Sequence, residues 1–395
     1  MFSILKKLGP SKVINFILLS SNNVINNSFA TFILLIFVFK NDLNDATNLA
    51  IISAFTILLT KVFSINLRNI YIAKFDTKNL DNFILLRLTI SSLIIISCFL
   101  FAYFYLSIIN KKIYLLILIF IFQWILELSL VKFELNKKTR ITNFLFFINI
   151  FFLISILISV FYFNYLLFME ILIVNLVIIL FFILKSIDLS NLEINKIFFK
   201  NLRLMFTKTI NSNSFLSSFS LNIANLLWRI LVSYYVGKNT ASIIFFFYAL
   251  GSFPGTIFNV SFGPSMVRNK MKKINLILFF LSYIILISPI IFLMYFKIDN
   301  YMILNSDLTY SFFLNISFFS LVGSLIMLYA MFFRQQKINN MPTFYNKVFL
   351  KDFYVSIGII VIVPILYYIG GVYYLSLAYF FSAIISMIFY LLLKK

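Results

Sequence analysis

Long apolar runs alternate with short polar breaks along almost the whole chain. A bilayer core needs about 20 apolar residues per helix. Twelve stretches meet that requirement: 13–39, 47–66, 83–109, 113–131, 142–163, 166–184, 210–236, 241–266, 274–296, 309–333, 349–369 and 371–393. Breaks such as Asn164-Tyr165 and Gly370-Gly371 are so short that the helices on either side must form antiparallel hairpins. The pattern therefore predicts an all-α polytopic membrane protein with twelve transmembrane helices. The first span is too long for a signal-peptide core, and no small-residue cleavage site follows Phe39, so it is expected to persist as an anchor.

Composition narrows the class. Of 395 residues, 62% are hydrophobic and only 11% charged, with a mean hydropathy of +1.03. A soluble domain covers its core with about 25% charged residues, so a soluble protein is excluded, and disorder with it. There is no histidine and one cysteine, Cys98. That removes zinc fingers, histidine-based triads, histidine-ligated haem and an internal disulfide, so no metal or other cofactor is expected. The net charge of +21 would suggest nucleic acid on a soluble protein. In a membrane protein it reports topology, because cytoplasmic loops collect Lys and Arg. With the N-terminus inside and the spans alternating, 25 of the 33 basic residues fall on inner segments. Five fall outside (Lys40, Lys111, Lys112, Lys238 and Lys297), and Lys61, Arg87 and Arg229 lie within spans. This split supports twelve spans with both termini cytoplasmic.

The longest polar stretch divides the chain into two lobes of six spans, 1–185 and 209–395, joined by a cytoplasmic linker at 186–208 that lies along the membrane surface. Each lobe opens with an unusually polar helix. The first span carries Asn22, Asn23, Asn26 and Asn27, and the seventh carries Asn211, Ser218, Asn222, Asn225, Arg229 and Ser233. Six is an even number, so both lobes share one orientation and are expected to be related by a pseudo-two-fold axis along the membrane normal.

At 100° per residue, the polar side chains of the seventh span fall within an arc of about 80°. Ser and Asn stripes can bridge neighbouring helices for about 0.6–2 kcal/mol each, and packing explains two or three of them. It explains Arg229 less well, since mid-membrane arginine costs about 2.5–3.5 kcal/mol on insertion scales. A water-filled lumen is the reading that accounts for the whole stripe. The eighth span adds a small and polar face with Tyr248, Thr256 and Asn259, punctuated by Pro254 and Pro264. The second span carries Ser53, Thr56, Thr60 and Ser64, with Lys61 nearby. Glu127, on the fourth span, is the acid placed deepest in a span, and Arg87 on the third lies at a similar depth. The two are candidates for an ion pair, or Glu127 for a proton-coupling role.

These features resemble the Wzx-type polysaccharide flippases of the multidrug/oligosaccharidyl-lipid/polysaccharide exporter superfamily. The likeness covers essentially the whole chain and is best from Ile223 to Arg268, where a polar helix, a turn at Gly237 and a helix ending in Pro264-Ser265-x-x-Arg268 follow one another. The resemblance implies translocation of a polyprenyl-diphosphate-linked oligosaccharide across the bacterial inner membrane, by a monomer without catalytic residues. It also implies a coupling ion, proton or sodium, and a polysaccharide polymerase as partner, with no nucleic acid. Asn and Ser would meet sugar hydroxyls, and Arg229 and Lys61 the diphosphate. The first span departs from the family in having no basic residue between Lys12 and Lys40. The alternatives are a drug or small-solute exporter of the same superfamily, and a membrane polymerase or glycosyltransferase, which would need a larger outer loop than any here.

The charge split generates a direct test. Reporter fusions after Lys138, Lys200, Lys272 and Lys347 should all read cytoplasmic, and one external reading among them would break the twelve-span map.

Overall fold

Hydrocarbon offers no partner to a backbone N–H or C=O, so a spanning segment must satisfy its polar groups within itself. The computed structural model meets this with helices alone. It describes residues 29–38, 40, 42–64, 80–108, 110–135, 139–162, 165–187, 213–257, 310–340 and 345–392, with no strand among them. The helices are α1 (Phe29–Val38), α2 (Leu43–Ser64), α3 (Leu80–Phe104), α4 (Lys111–Leu135) and α5 (Thr139–Tyr162). They continue as α6 (Tyr165–Ser186), α7 (Asn213–Ile257), α8 (Tyr310–Asn340), α9 (Tyr345–Leu375) and α10 (Ala378–Leu391).

Every described helix falls on an expected span. The first span is described from Phe29 and the eighth up to Ile257, while 274–296 and the linker at 188–208 lie outside the described residues. Among the described residues, six helices are individually long and apolar enough to cross a membrane. Two of the expected hairpins turn at glycines, where the helical backbone breaks. The seventh and eighth spans are the two arms of α7, which meet at Gly237 with φ +76°, and Trp228 on one arm packs against Tyr248 on the other. The eleventh span ends at Gly370 and Gly371, the latter at φ +61°, where the chain turns into the start of the twelfth. An added Cβ at Gly237 or Gly371 would meet nothing within 4 Å. These glycines are therefore needed for backbone conformation, not for space.

The helices group into two compact units. One comprises Met1–Phe32 and Ile52–Phe219, the other Ile33–Ile51 and Ser220–Lys395. In the first unit α4 is the inner helix. Two thirds of its apolar window is buried, against one third for α3 and for α6. The exposed side chains of α5 (Phe144, Phe147, Phe151, Ile154 and Ile158) recur every three or four residues. That is one continuous apolar stripe, the surface a helix turns to lipid.

In the second unit α10 lies against α8 and α9. Its buried face is small over three turns, at Ala378, Ser382, Ala383 and Ser386, and ends in Tyr390. Glycines oppose it. A Cβ on Gly323 would stand 3.0 Å from the Phe380 Cα, and one on Gly358 would stand 2.7 Å from the Ile385 Cγ2. Helix association in lipid relies on close van der Waals contact, and small residues permit it. At Gly323 the obstacle is backbone, which cannot swing aside. Gly323→Val should therefore destabilise the second unit by about 1–3 kcal/mol through overpacking. Thermal unfolding in detergent reads this as a lowered midpoint, and an unchanged midpoint would show that α8 and α10 do not meet there.

Candidate functional site

The polar stripe of α2 is a chain of hydroxyls spaced about one turn apart. Each donates to a carbonyl of the preceding turn: Thr56 to Ile52 at 2.8 Å, Thr60 to Thr56 at 2.8 Å and Ser64 to Thr60 at 2.7 Å. The protons are thus engaged within the helix, while the oxygen lone pairs remain as acceptors. Ser64 Oγ accepts from the Trp124 indole N–H at 2.6 Å, and Thr56 Oγ1 lies 3.5 Å from the Cys98 Sγ.

Between this stripe and α4 lies a pocket of about 90 Å³. Ser53, Thr56, Thr60 and Lys61 line one wall, Gln123, Trp124 and Glu127 the other, with Ala30, Ile57 and Phe120 completing it. A water needs about 10–15 Å³ of such space, so the pocket has room for several waters or one partly hydrated ion. It is too small for a sugar chain.

Charge enters from both sides. Arg87 of α3 is only 2% exposed and sits behind α4, with its Nη1 3.7 Å from the Glu127 Oε2. The same Nη1 donates to the Trp124 carbonyl at 2.5 Å, and the guanidinium carbon stands 4.7 Å from the indole centroid. Glu127 is 18% exposed and reaches the pocket. Lys61 is exposed at its rim. The structure thus brings Lys61, Arg87 and Glu127 to one small intramembrane site, with two cations around one carboxylate.

On α7, Ser218, Asn222, Asn225, Arg229 and Ser233 are all half-buried. The Arg229 guanidinium donates to the Ala50 carbonyl of α2. Close by in sequence, Thr47 Oγ1 donates to the Lys238 carbonyl at 2.5 Å. The first arm of α7 is therefore fastened to residues 47–50, and Arg229 is one of the fasteners. Tyr248, which the polar face of the eighth span includes, is buried against Trp228, with ring centroids 4.7 Å apart. Asn22, Asn23, Asn26, Asn27, Asn211 and Asn259 lie outside the described residues, as does the side chain of Thr256.

Two further charged clusters escaped the sequence reading. In the first unit, Lys132 at the end of α4 donates to Asp81 Oδ1 at 2.6 Å and to the Ser186 carbonyl at the end of α6 at 2.7 Å. In the second unit, Arg334 of α8 grips Asp352 of α9 through two bonds of 2.9 and 2.7 Å, and Tyr390 of α10 donates to the same carboxylate at 2.6 Å. Lys132 follows the fourth span and Arg334 the tenth, so the two cations hold matching places in the two halves of the chain. The sequence signal is an acid and a base at same-side ends of consecutive antiparallel helices. Counting the bases only for topology hid it.

No protein-family model and no curated protein matches the chain. Two solved structures do. The chain is similar over 96% of its length, and 94% of the other chain, to a structure described as MATE in complex with MaL6, with a TM-score of 0.51 and 12% identity. It is also similar over 96% of its length, and 93% of the other chain, to an inward-facing multidrug resistance MATE family transporter of the MOP superfamily, with a TM-score of 0.49 and 13% identity. The chain accordingly shares the fold of the first of these structures, that of a polytopic helical membrane protein.

The Arg334–Asp352–Tyr390 cluster gives a stability prediction. Asp352 is 0% exposed, and removing one partner of a buried pair costs about 3–5 kcal/mol. Asp352→Ala should lower the unfolding midpoint in detergent by far more than Tyr390→Phe, which loses one bond to a charged group worth about 1.5–3 kcal/mol. Equal effects of the two substitutions would mean that the carboxylate is not the centre of the cluster.

Proposed function

We propose that this protein is an alternating-access flippase that carries a polyprenyl-diphosphate-linked oligosaccharide across the bacterial inner membrane. The reading rests on a transporter fold in a chain with polar helices where lipid-facing helices would be apolar. The observation that carries it is the Lys61–Glu127 pocket, a charged and hydroxyl-lined site inside membrane-spanning helices. In this reading the lobes are 1–185 and 209–395, the linker is 186–208, both termini are cytoplasmic, and the protein works as a monomer beside a polysaccharide polymerase. Asn22, Asn23, Asn26, Asn27, Asn211, Ser218, Asn222, Asn225, Thr256 and Asn259 offer hydrogen bonds to sugar hydroxyls.

The pocket's size and its charged lining support a part for it in the cycle. A space for several waters suits a coupling proton or sodium ion at Glu127 better than the glycan itself. Binding a cation there would weaken the attraction between Glu127 and Arg87, which lies 3.7 Å away. Lys61 at the rim is left to attract the anionic diphosphate. A second reading, export of small organic solutes, draws on the fold shared with the MATE structure in complex with MaL6.

The test is transport by the purified protein in vesicles. A labelled polyprenyl-diphosphate oligosaccharide should change leaflet, and organic cations should not be exported. The reverse result would establish the small-solute reading. Lys61→Ala should slow glycan translocation about tenfold or more at unchanged protein level, the loss of one charge-assisted bond of about 1.5–3 kcal/mol. Arg229→Ala should lower folded protein as well as transport, because it also removes the bond to the Ala50 carbonyl.

A further inference from the structure

The second unit carries a cluster of tyrosines that the transport reading does not use. Tyr234 and Tyr235 lie on the last turn of α7 before Gly237, and Tyr367 and Tyr368 lie on the last turn of α9 before Gly370. Tyr235 stacks on Tyr367, with centroids 4.6 Å apart and planes at 29°, and meets Tyr368 edge-on at 6.2 Å. Tyr234 packs edge-on against Tyr235 at 5.5 Å. The outer members are open: Tyr234 is 81% exposed and Tyr368 80%. The adjoining Lys238 is exposed too.

What the cluster faces follows from the helix beneath it. Along α9 the exposed side chains include Leu350, Phe353, Tyr354, Ile357, Val361, Ile365, Tyr368 and Ile369. They form one stripe, aliphatic from Ile357 to Ile365, with Tyr354 and Tyr368 flanking that middle part. Fourteen residues separate the two tyrosines, about 21 Å at 1.5 Å per residue. Such a stripe in a membrane helix faces acyl chains, and its two flanking tyrosines fall towards the two boundaries of the hydrocarbon layer. Tyrosine suits a boundary because its ring is apolar and its hydroxyl needs a polar partner.

We infer that Tyr234, Tyr235, Tyr367 and Tyr368 form a lipid-headgroup contact surface that seats the Gly237 and Gly370 turns at one face of the bilayer. The rings rest on the upper acyl chains and the hydroxyls bond to phosphate and glycerol oxygens, with Lys238 supplying charge attraction to the phosphates. Because the Tyr235–Tyr367 stack joins α7 to α9, a lipid held there bears on both helix ends at once. This inference does not depend on which cargo the protein carries.

The test measures depth. The full chain is reconstituted in phosphatidylethanolamine–phosphatidylglycerol vesicles, and spin labels are attached after Tyr234→Cys, Tyr368→Cys or Val361→Cys, with the free label in water as the aqueous reference. Cys98 is buried, and labelling the parent chain sets the background. Relative access of oxygen and of a water-soluble nickel chelate reports depth. Labels at 234 and 368 should share one headgroup depth, and the label at 361 should read about 10 Å deeper, as seven residues of helix require. A second variant keeps an amphipathic ring: after Tyr368→Trp, added fluorescence should be quenched more by lipids brominated near the headgroup than by lipids brominated near the chain end. Nickel access at 234 and 368 equal to that of the free label in water would overturn the inference and point to a soluble partner such as a glycan or a protein. Oxygen access equal to that at 361 would overturn it in the other direction.

Discussion

The chain holds 33 basic residues and only 12 acidic ones, so carboxylates cannot neutralise every cation that lies in or near the membrane. Main-chain carbonyls supplement them. Arg87 donates to the Trp124 carbonyl, Arg229 to the Ala50 carbonyl and Lys132 to the Ser186 carbonyl, each on a neighbouring helix. A carbonyl has two lone pairs, and a helix uses one. Ser186 ends its helix, where the carbonyl has no intrahelical partner. A bond of this kind is worth about 1.5–3 kcal/mol, close to the insertion cost of about 2.5–3.5 kcal/mol for a mid-membrane cation. The cost of carrying the cations is thus largely offset by their use as interhelical ties.

The few acids present are placed where one carboxylate serves several partners. Asp352 accepts from Arg334 and from Tyr390, so three helices meet at one buried group. Asp81 shares Lys132 with the end of α6. Glu127 differs, because it is near Arg87 and still opens onto a pocket. Its environment is the one best suited to a change of charge state during transport. The ties at Asp81 and Asp352 engage their carboxylates in direct bonds of 2.6–2.9 Å, which suits them to holding helix ends fixed.

Small residues and tyrosines divide the remaining work in the second unit. Gly323 and Gly358 let α10 approach α8 and α9, which gives Tyr390 its place beside Asp352. Gly237 and Gly371 supply left-handed backbone at the two bends, and the tyrosines before each bend gather into one stacked group. Bends and close contacts are thus made by residues without a side chain, and the surfaces beside them by large rings.

The sequence by itself determined the helical class, the approximate position of every described helix and the residues able to carry chemistry. These depend on hydropathy over about 20 residues and on helical periodicity, both local properties. It also brought Arg87 and Glu127 into view as partners, since equal depth on neighbouring spans is legible from position. What Arg229 touches was not legible, because the Ala50 carbonyl looks like every other carbonyl in the sequence. Nor was the meeting of Asp352 with Arg334 and Tyr390, which lie 18 and 38 residues away along the chain and on different helices. The hydroxyl stripe of α2 could be read as polar, but its direction towards α4, and the pocket of about 90 Å³ between them, depend on how α2 is rotated against its neighbours. Rotation and partner choice are set by side-chain packing between distant segments, and that is what only the tertiary structure decided.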